Sequence, residues 1–476
     1  MTLVHALKWS FLAELASKAI TPIVFIVLAR LLTPEDFGVM SAALMVIAFS
    51  QIFWEAGMGK ALIQRQTDVE DAANVAFWVN LCLGLLIAGL LFWGAQPIAL
   101  TFFKDPRVTA VLQVMTLQVL LAALSSVQTA LLQKEMNFKK LFWVRSTTVA
   151  LPGLASIPLA WNGMGYWSLV AGTLTGQFVQ VIMLWRMSSW RPALSFPLNV
   201  ARPMGKFGAW VGASGLLAWF YVWADSLIVG ANFGIQDLGI YRVGNQFAGL
   251  IFTLIFGPVV PVLFSQLSRI GPDRKRFRTS IEKVIRILTL IAIPISVIVY
   301  QFSDPLTIFI FGDKWQGVGL VVGILALMHG FSWVVGMNGE AYRAMGKPSL
   351  DTIVTASTLL VYLGVYFVSV KLGFDYFVWA RLFLSLGALL LHLAVLQWVL
   401  SVRATSLLVY ILLIAVFSFN VTELVQMTQV KLGYDSVLET IAGLILASLI
   451  IGAFLVITER NRSVKDILYL IGNRAK

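Results

Sequence analysis

Apolar runs of similar length recur along the chain at short intervals. They fall near 9–31, 38–60, 75–96, 107–131, 142–162, 165–187, 207–230, 239–267, 284–303, 317–338, 351–372, 376–399, 406–426 and 438–457. Each is close to the roughly 20 residues a helix needs to cross the hydrocarbon core of a bilayer. Short polar connections separate them. The pattern predicts an all-α polytopic membrane protein with about fourteen transmembrane helices. The first, second and eighth runs are the least apolar, because charged or amide side chains interrupt them.

Composition closes off the alternatives. Apolar types make up 59% of the 476 residues and charged types 12%, about half the share found in an ordinary soluble domain. So few charges cannot coat two or three soluble domains, which excludes a soluble enzyme, a nucleic-acid binder and a secreted scaffold. One cysteine, Cys82, and three scattered histidines, His5, His329 and His392, provide no disulfide framework, thiol pair or metal site. No phosphate-binding glycine loop occurs, so ATP is not used directly and no cofactor is expected. The N-terminus lacks a short cleavable apolar core, so the first run is expected to be retained.

The net charge of +12 reads as topology. Basic residues are retained on the cytoplasmic side of a membrane. With the N-terminus cytoplasmic, 26 of the 35 lysines and arginines fall on the inner side and 8 on the outer side, with Lys18 inside a span. Acidic residues outside the spans divide evenly. Both termini of this multi-pass protein are therefore expected in the cytoplasm.

The two halves echo one another. Asp36-Phe-Gly38 falls on Asp237-Leu-Gly239 at an offset of 201 residues, each between an odd and an even span, and FFKD at 102–105 is echoed by FGDKW at 311–315. Six spans per copy give both copies the same orientation, with an axis along the membrane normal. The expected organisation is a six-helix bundle at 1–187, a cytoplasmic interfacial linker at 188–206 carrying Trp190 and Phe196, a second bundle at 207–399, an extra helix pair at 400–458 and a basic tail at 459–476.

Ionisable groups inside spans are costly and so face a partner or a pathway. Glu14 and Lys18 share one face of the first span at i,i+4. They form either a self-neutralising pair or a cavity cation held by a carboxylate. Pro22, one turn on, makes this helix a candidate bending element. Gly208, Gly212 and Gly215 in the seventh span allow bending or close approach, and Asp225 lies about two-thirds of the way across it. Asp225 reads equally as a helix cap or as a proton or cation site. Glu55 and Lys60 in the second span, Arg242, Asn245 and Gln246 in the eighth, and Asn338, Glu340 and Arg343 at the end of the tenth form a second tier. His329 reads as a packed core histidine.

The segments ARLLTPEDFGVM, ALLQKEMNFKKL, GMGYWSLVAG, DSLIVGANFGIQDLGIYRVGNQF, PVLFSQLSR and FIFGDKW, in this order and spacing, resemble those of the bacterial polysaccharide-transporter family. These are the oligosaccharide flippases of the multidrug/oligosaccharidyl-lipid/polysaccharide exporter superfamily. The resemblance implies two bundles around a central cavity that opens alternately to either side. The implied substrate is an oligosaccharide on undecaprenyl pyrophosphate, moved from inner to outer leaflet, with membrane lipids, the polysaccharide polymerase and other assembly proteins as partners. Its first-helix cation position is best matched by Lys18, with Arg30 and Arg242 next, and Asp225 occupies the seventh-helix position where drug-exporting relatives carry a coupling aspartate; it also implies the bacterial cytoplasmic (inner) membrane. Together with the polar groups read from the spans, the candidate substrate contacts are Lys18, Arg30, Arg242, Asn245, Gln246 and Arg343, and the candidate ion-coupling groups are Glu14, Glu55 and Asp225. Two alternatives stand beside it. A cation-coupled drug exporter would favour acidic over basic cavity residues. A membrane polymerase or ligase would need a long outer loop, which is absent.

Overall fold

The computed structural model describes residues 20–432 and 437–459, apart from 56, 258, 261–266, 268, 269, 271 and 272. Among them every regular element is a helix. In chain order these are α1 (Ile20–Leu31), α2 (Pro34–Trp54), α3 (Met58–Gln64), α4 (Val69–Ile98), α5 (Arg107–Lys134), α6 (Phe138–Trp161), α7 (Tyr166–Met187), α8 (Leu198–Phe233) and α9 (Ile235–Phe256). Then follow α10 (Arg274–Gln301), α11 (Ser303–Phe311), α12 (Val318–Val335), α13 (Asn338–Ala344), α14 (Pro348–Ser369), α15 (Phe374–Leu400), α16 (Ala404–Lys431) and α17 (Val437–Glu459). Helices dominate because hydrocarbon offers a peptide group no outside partner, so each segment must satisfy its own backbone.

Among the described residues every apolar run of the sequence contains a helix, but the ends differ for physical reasons. The second run breaks after Trp54, where Gly57 turns the chain at φ 64° and α3 starts afresh. Helix α10 begins ten residues before its apolar run. Asp273 caps its first turn by accepting from the Lys275 and Arg276 amides, and the basic stretch behind that cap is helical too. Helix α4 runs into a π-helical turn at Ala99–Phe103 after the internal Pro97, which removes a ladder bond. Among the described residues eleven helices, not fourteen, are long and apolar enough to cross a membrane. Helix α1 is described only from Ile20 onward, α6 is diluted by Arg145, Thr147, Thr148, Pro152 and Pro158, and the apolar part of α17 is short.

The chain divides into two compact units, Met1–Arg242 and Val243–Lys476. In the first, α4 packs on α5 and α6 on α7, α5 bridges to α2 and α7, and α8 lies against α2, α3 and α4. One of its cores joins Met58 and Leu62 of α3, Ala76 and Phe77 of α4, Leu131 of α5 and Met204 of α8. The connection before α8 is extended only from Ser188 to Pro197 and is tied to α4. The Ala193 amide donates to Asn74 Oδ1 at 2.9 Å, Trp78 Nε1 to the Ala193 carbonyl at 2.8 Å, and Ser195 Oγ to Asp71 at 3.0 Å. In the second unit α10 packs on α12 and α16, and α12 on α15. The last two helices join it through Phe302, Val425, Ala447 and Ile451, and Gln301 donates to Glu423 at 3.0 Å.

The corner between α4 and α5 is held by Asp105 and Arg107, paired at 2.7 Å. Burial raises the Asp105 pKa, but hydrogen bonds and charge from Arg107 outweigh it and hold the carboxyl below the usual carboxylate range.

The repeated Asp-x-Gly segments meet. Thr33 and Asp36 form a reciprocal capping box at the start of α2, satisfying two otherwise orphaned donors. The other Asp36 oxygen accepts from the Tyr166 amide at 2.8 Å, which fixes α2 to the start of α7. A Cβ on Gly38 would overlap the carbonyl of Ile235, and a Cβ on Gly239 would overlap the carbonyl of Pro34. The 201-residue offset carries Pro34 to Ile235 and Gly38 to Gly239, so the contact is self-reciprocal. Reciprocity of this kind is what a two-fold relation produces.

Gly38→Ala and Gly239→Ala should therefore each force the starts of α2 and α9 apart, at the ~1–3 kcal/mol typical of overpacking. Gly89→Ala, where a Cβ meets nothing within 4 Å, should leave the melting temperature unchanged or raise it. Thermal unfolding of the purified variants checks this; unaltered melting for both interface variants would refute the tight contact.

Candidate functional site

Helix periodicity builds a groove inside the first unit. Ala48, Gln51 and Ile52 recur on one face of α2, with Glu55 at its C-cap continuing the row, at the three- and four-residue spacing that stacks side chains. Val211, Gly212, Gly215, Ala218, Trp219, Val222 and Trp223 do the same on α8. Gly57 and Lys60 complete the wall, and the open cavity has a volume of 320 Å³. Gly57 lets the two walls come together. A Cβ there would lie 2.7 Å from Val211 Cβ and 3.0 Å from Gly208 Cα, in a backbone conformation that side chains rarely adopt. Helix α8 is unbroken from Leu198 to Phe233 through Gly208, Gly212 and Gly215. In this structure those glycines serve close packing and groove space.

The groove is polar on one wall and aromatic on the other. Gln51 Nε2 donates to Glu55 Oε2 at 2.9 Å. Trp219 donates through Nε1 to the Met45 carbonyl at 3.2 Å and meets Phe49 edge-on with centroids 4.9 Å apart. Trp223 lies under the guanidinium of Arg242, 4.1 Å from the carbon to the ring centroid. This is a cation–π geometry, worth about 2 kcal/mol or more when desolvated.

Arg242 in turn belongs to a buried polar cluster. Asp225, 4% exposed, accepts from Tyr241 Oη at 2.7 Å and from the amide and hydroxyl of Ser226 at 2.6 and 3.1 Å. Arg242 Nη1 donates to Ser226 Oγ at 3.4 Å. A carboxylate with three donated hydrogen bonds is held in one orientation, and that network positions the arginine beside Trp223. The arrangement can receive an anion at Arg242 next to a neutral polar and aromatic surface.

The structure thus brings Asp225 and Arg242 together, and Trp223 links them to the groove that contains Glu55 and Lys60. Arg30 lies exposed near the end of α1, away from the groove lining. Asn245 is half-buried and Gln246 exposed on α9. Arg343 forms ion pairs with Glu340 at 3.1 Å and Asp351 at 3.5 Å, so two carboxylates offset its charge. Pro22 lies within α1. Glu14 and Lys18 lie outside the described residues. His329 packs on Phe252, centroids 5.8 Å apart. Trp219, Trp223, Gln51, Ser226 and Tyr241 were not singled out by sequence reasoning. The available signal was spacing: two tryptophans four residues apart on the glycine face of α8, and Gln51 with Glu55 at the same interval on α2.

Comparison with known proteins gives a consistent result. The family described as "Polysaccharide biosynthesis protein" matches residues 27–319. The succinoglycan biosynthesis transport protein ExoT of Rhizobium meliloti (strain 1021) is 27% identical over 69% of this chain, and the match spans just under two thirds, 66%, of that relative's length. The teichuronic acid biosynthesis protein TuaB of Bacillus subtilis (strain 168) is 23% identical over 77% of the chain and 76% of its own length. The lipopolysaccharide biosynthesis protein WzxC of Escherichia coli (strain K12) is 23% identical over 72% and 67%. Among solved structures, the lipid II flippase MurJ in an inward closed conformation superposes with a TM-score of 0.75 at 15% identity, over 96% of this chain and 99% of that one. An inward-facing multidrug resistance MATE family transporter of the MOP superfamily gives 0.61 at 14% identity, over 82% and 95%. At these identities the superpositions show the fold. Fold and family matches together place this polytopic membrane chain in the polysaccharide biosynthesis protein family.

Proposed function

We propose that the protein is a flippase. It carries an oligosaccharide linked to undecaprenyl pyrophosphate from the inner to the outer leaflet, for synthesis of a lipopolysaccharide, capsule or exopolysaccharide. The observation that carries this reading is Arg242, half-buried near the start of α9 and stacked on Trp223, which lines a groove with Gln51, Glu55 and Trp219. A cation inside a membrane protein is retained for a partner. The pyrophosphate of a lipid carrier is such a partner, and guanidinium binds phosphate oxygens in a bidentate fork. One relative is named a succinoglycan biosynthesis transport protein, which supports the same substrate class. The inner-membrane location, implied by the resemblance, and the cytoplasmic termini, argued from the distribution of lysine and arginine, belong to this reading.

In the cycle, lipid-linked sugar enters from the inner leaflet with its tail in lipid, its anion at Arg242 and its glycan in the water-filled cavity. The reciprocal Gly38–Ile235 and Gly239–Pro34 contact closes the outer end in this state, and its parting opens the way outward. Asp225, buried and hydrogen-bonded to Tyr241 and Ser226, couples the step to a proton or cation. A charge change there rearranges the hydroxyls that position Arg242.

Deleting the gene in its host should abolish the surface polysaccharide and accumulate the lipid-linked oligosaccharide on the cytoplasmic side. Arg242→Gln should fail to restore export and weaken binding of undecaprenyl pyrophosphate by about tenfold or more, the ~1.4 kcal/mol scale of one charge-assisted contact. Arg242→Lys should restore it in part, with equal protein in the membrane. Unchanged polysaccharide on deletion, with altered sensitivity to cationic drugs, would instead favour the drug exporter.

Asp225→Asn should retain lipid binding while making transport into proteoliposomes insensitive to an imposed proton or sodium gradient. Gradient-dependent transport by this variant would remove Asp225 from the coupling role.

A further inference from the structure

We propose that the groove between α2, α3 and α8 is a saccharide subsite. It holds one sugar residue of the glycan with its apolar face on Trp219 and Trp223 and its hydroxyls on Gln51 and Glu55. The inference rests on the flippase reading and goes beyond it by separating the site of the sugar from the site of the anion.

A pyranose has two kinds of surface. Its axial C–H bonds make an apolar, slightly electropositive face, and its equatorial hydroxyls make a rim that both donates and accepts. A site that recognises it needs an aromatic face for the first, whose negative quadrupole attracts the C–H dipoles. It needs planar amide and carboxylate groups for the second. The groove supplies both, on opposite walls. Trp219 and Trp223 are one helical turn apart on α8, and Gln51 and Glu55 are one turn apart on α2. Trp219 is braced by the Met45 carbonyl and Phe49, and Trp223 by Arg242, so neither ring must be ordered when ligand arrives. The hydrogen bond from Gln51 to Glu55 leaves the amide oxygen and the second carboxylate oxygen to meet hydroxyls.

Size and charge narrow the occupant. At 320 Å³, the cavity sits at the low end of the roughly 300–1,000 Å³ of small-molecule sites. That suits a single sugar residue and not a whole oligosaccharide. The carboxylate of Glu55 repels the pyrophosphate, which Arg242 attracts. Lys60 in the same wall offsets Glu55 and makes the groove a poor trap for an organic cation. Gly212 and Gly215 supply the floor. A Cβ at Gly215 would reach 3.7 Å from Ile52, ordinary contact that nonetheless narrows the gap between the walls. Arg242 stacks directly on Trp223, so an anion at the guanidinium and a sugar on the indole are neighbours, as phosphate and first sugar are in a glycosyl pyrophosphate.

The test uses the full-length protein in nanodiscs and two probes, read by native mass spectrometry. One probe is undecaprenyl pyrophosphate; the other is the same lipid carrying a single glucose, galactose or N-acetylglucosamine. The wild type should bind at least one glycosylated lipid about tenfold more tightly than the bare one. Gln51→Ala, at an exposed position with no burden on folding, and Trp219→Ala should each lose that increment and leave the bare lipid unchanged. Trp219→Phe should keep most of it. No sugar increment in the wild type, or equal losses on both lipids in the variants, would overturn the subsite while the flippase reading stands. Binding of neither lipid would overturn both. Ethidium binding that competes with the glycosylated lipid and is abolished by Glu55→Gln would identify the groove as a cation site instead.

Discussion

In hydrocarbon an unpaired peptide group or an isolated polar side chain finds no solvent to satisfy it, and each costs several kcal/mol. That constraint makes every regular element of the described chain a helix. It also decides where polar side chains sit. Asp225, buried within α8, survives because Tyr241 and Ser226 donate to it, and Arg242 because Trp223 and Ser226 receive it. Most other hydroxyls inside the helices return their proton to a carbonyl three or four residues back, as Thr289 and Ser296 do. A polar group that does not pair locally is thereby marked. In the first unit such groups gather where α2, α8 and α9 meet.

Close backbone approach makes that gathering possible. The starts of α2 and α9 touch at Gly38 and Gly239, and the start of α3 touches α8 at Gly57. Between these two tight places the α2 and α8 walls part to form the groove. The same glycines that bring main chains into contact therefore determine how far apart the side-chain walls stand.

Division of labour within the site follows from charge. Arg242 is oriented by an aromatic ring and a hydroxyl and also feels the charge of Asp225, whereas Arg343 is ion-paired with both Glu340 and Asp351. A few ångströms away the groove has balanced charge and exposed aromatic surface. On the flippase reading proposed above, one end of the site would take the phosphate and the other a hydroxylated ring of the lipid-linked sugar head.

Much of the architecture was legible in the residues. Among the described residues each apolar run contains a helix, and the Asp-x-Gly echo at 36–38 and 237–239 marks segments that touch. Asp225 and Arg242 were identifiable because a charge inside an apolar run is conspicuous. Trp219 and Trp223 were not, because sixteen tryptophans spread along an apolar chain look alike in sequence; only packing separates those that line a groove from those that face lipid. The break at Gly57 was hidden because hydropathy does not change across a left-handed turn. Local chemistry along one dimension thus determined that this chain forms membrane helices and which family they belong to. Tertiary structure alone decided which faces meet, since helical periodicity defines a face but not its neighbour. It was that choice of neighbour that turned a scattered aspartate, arginine and pair of tryptophans into one site.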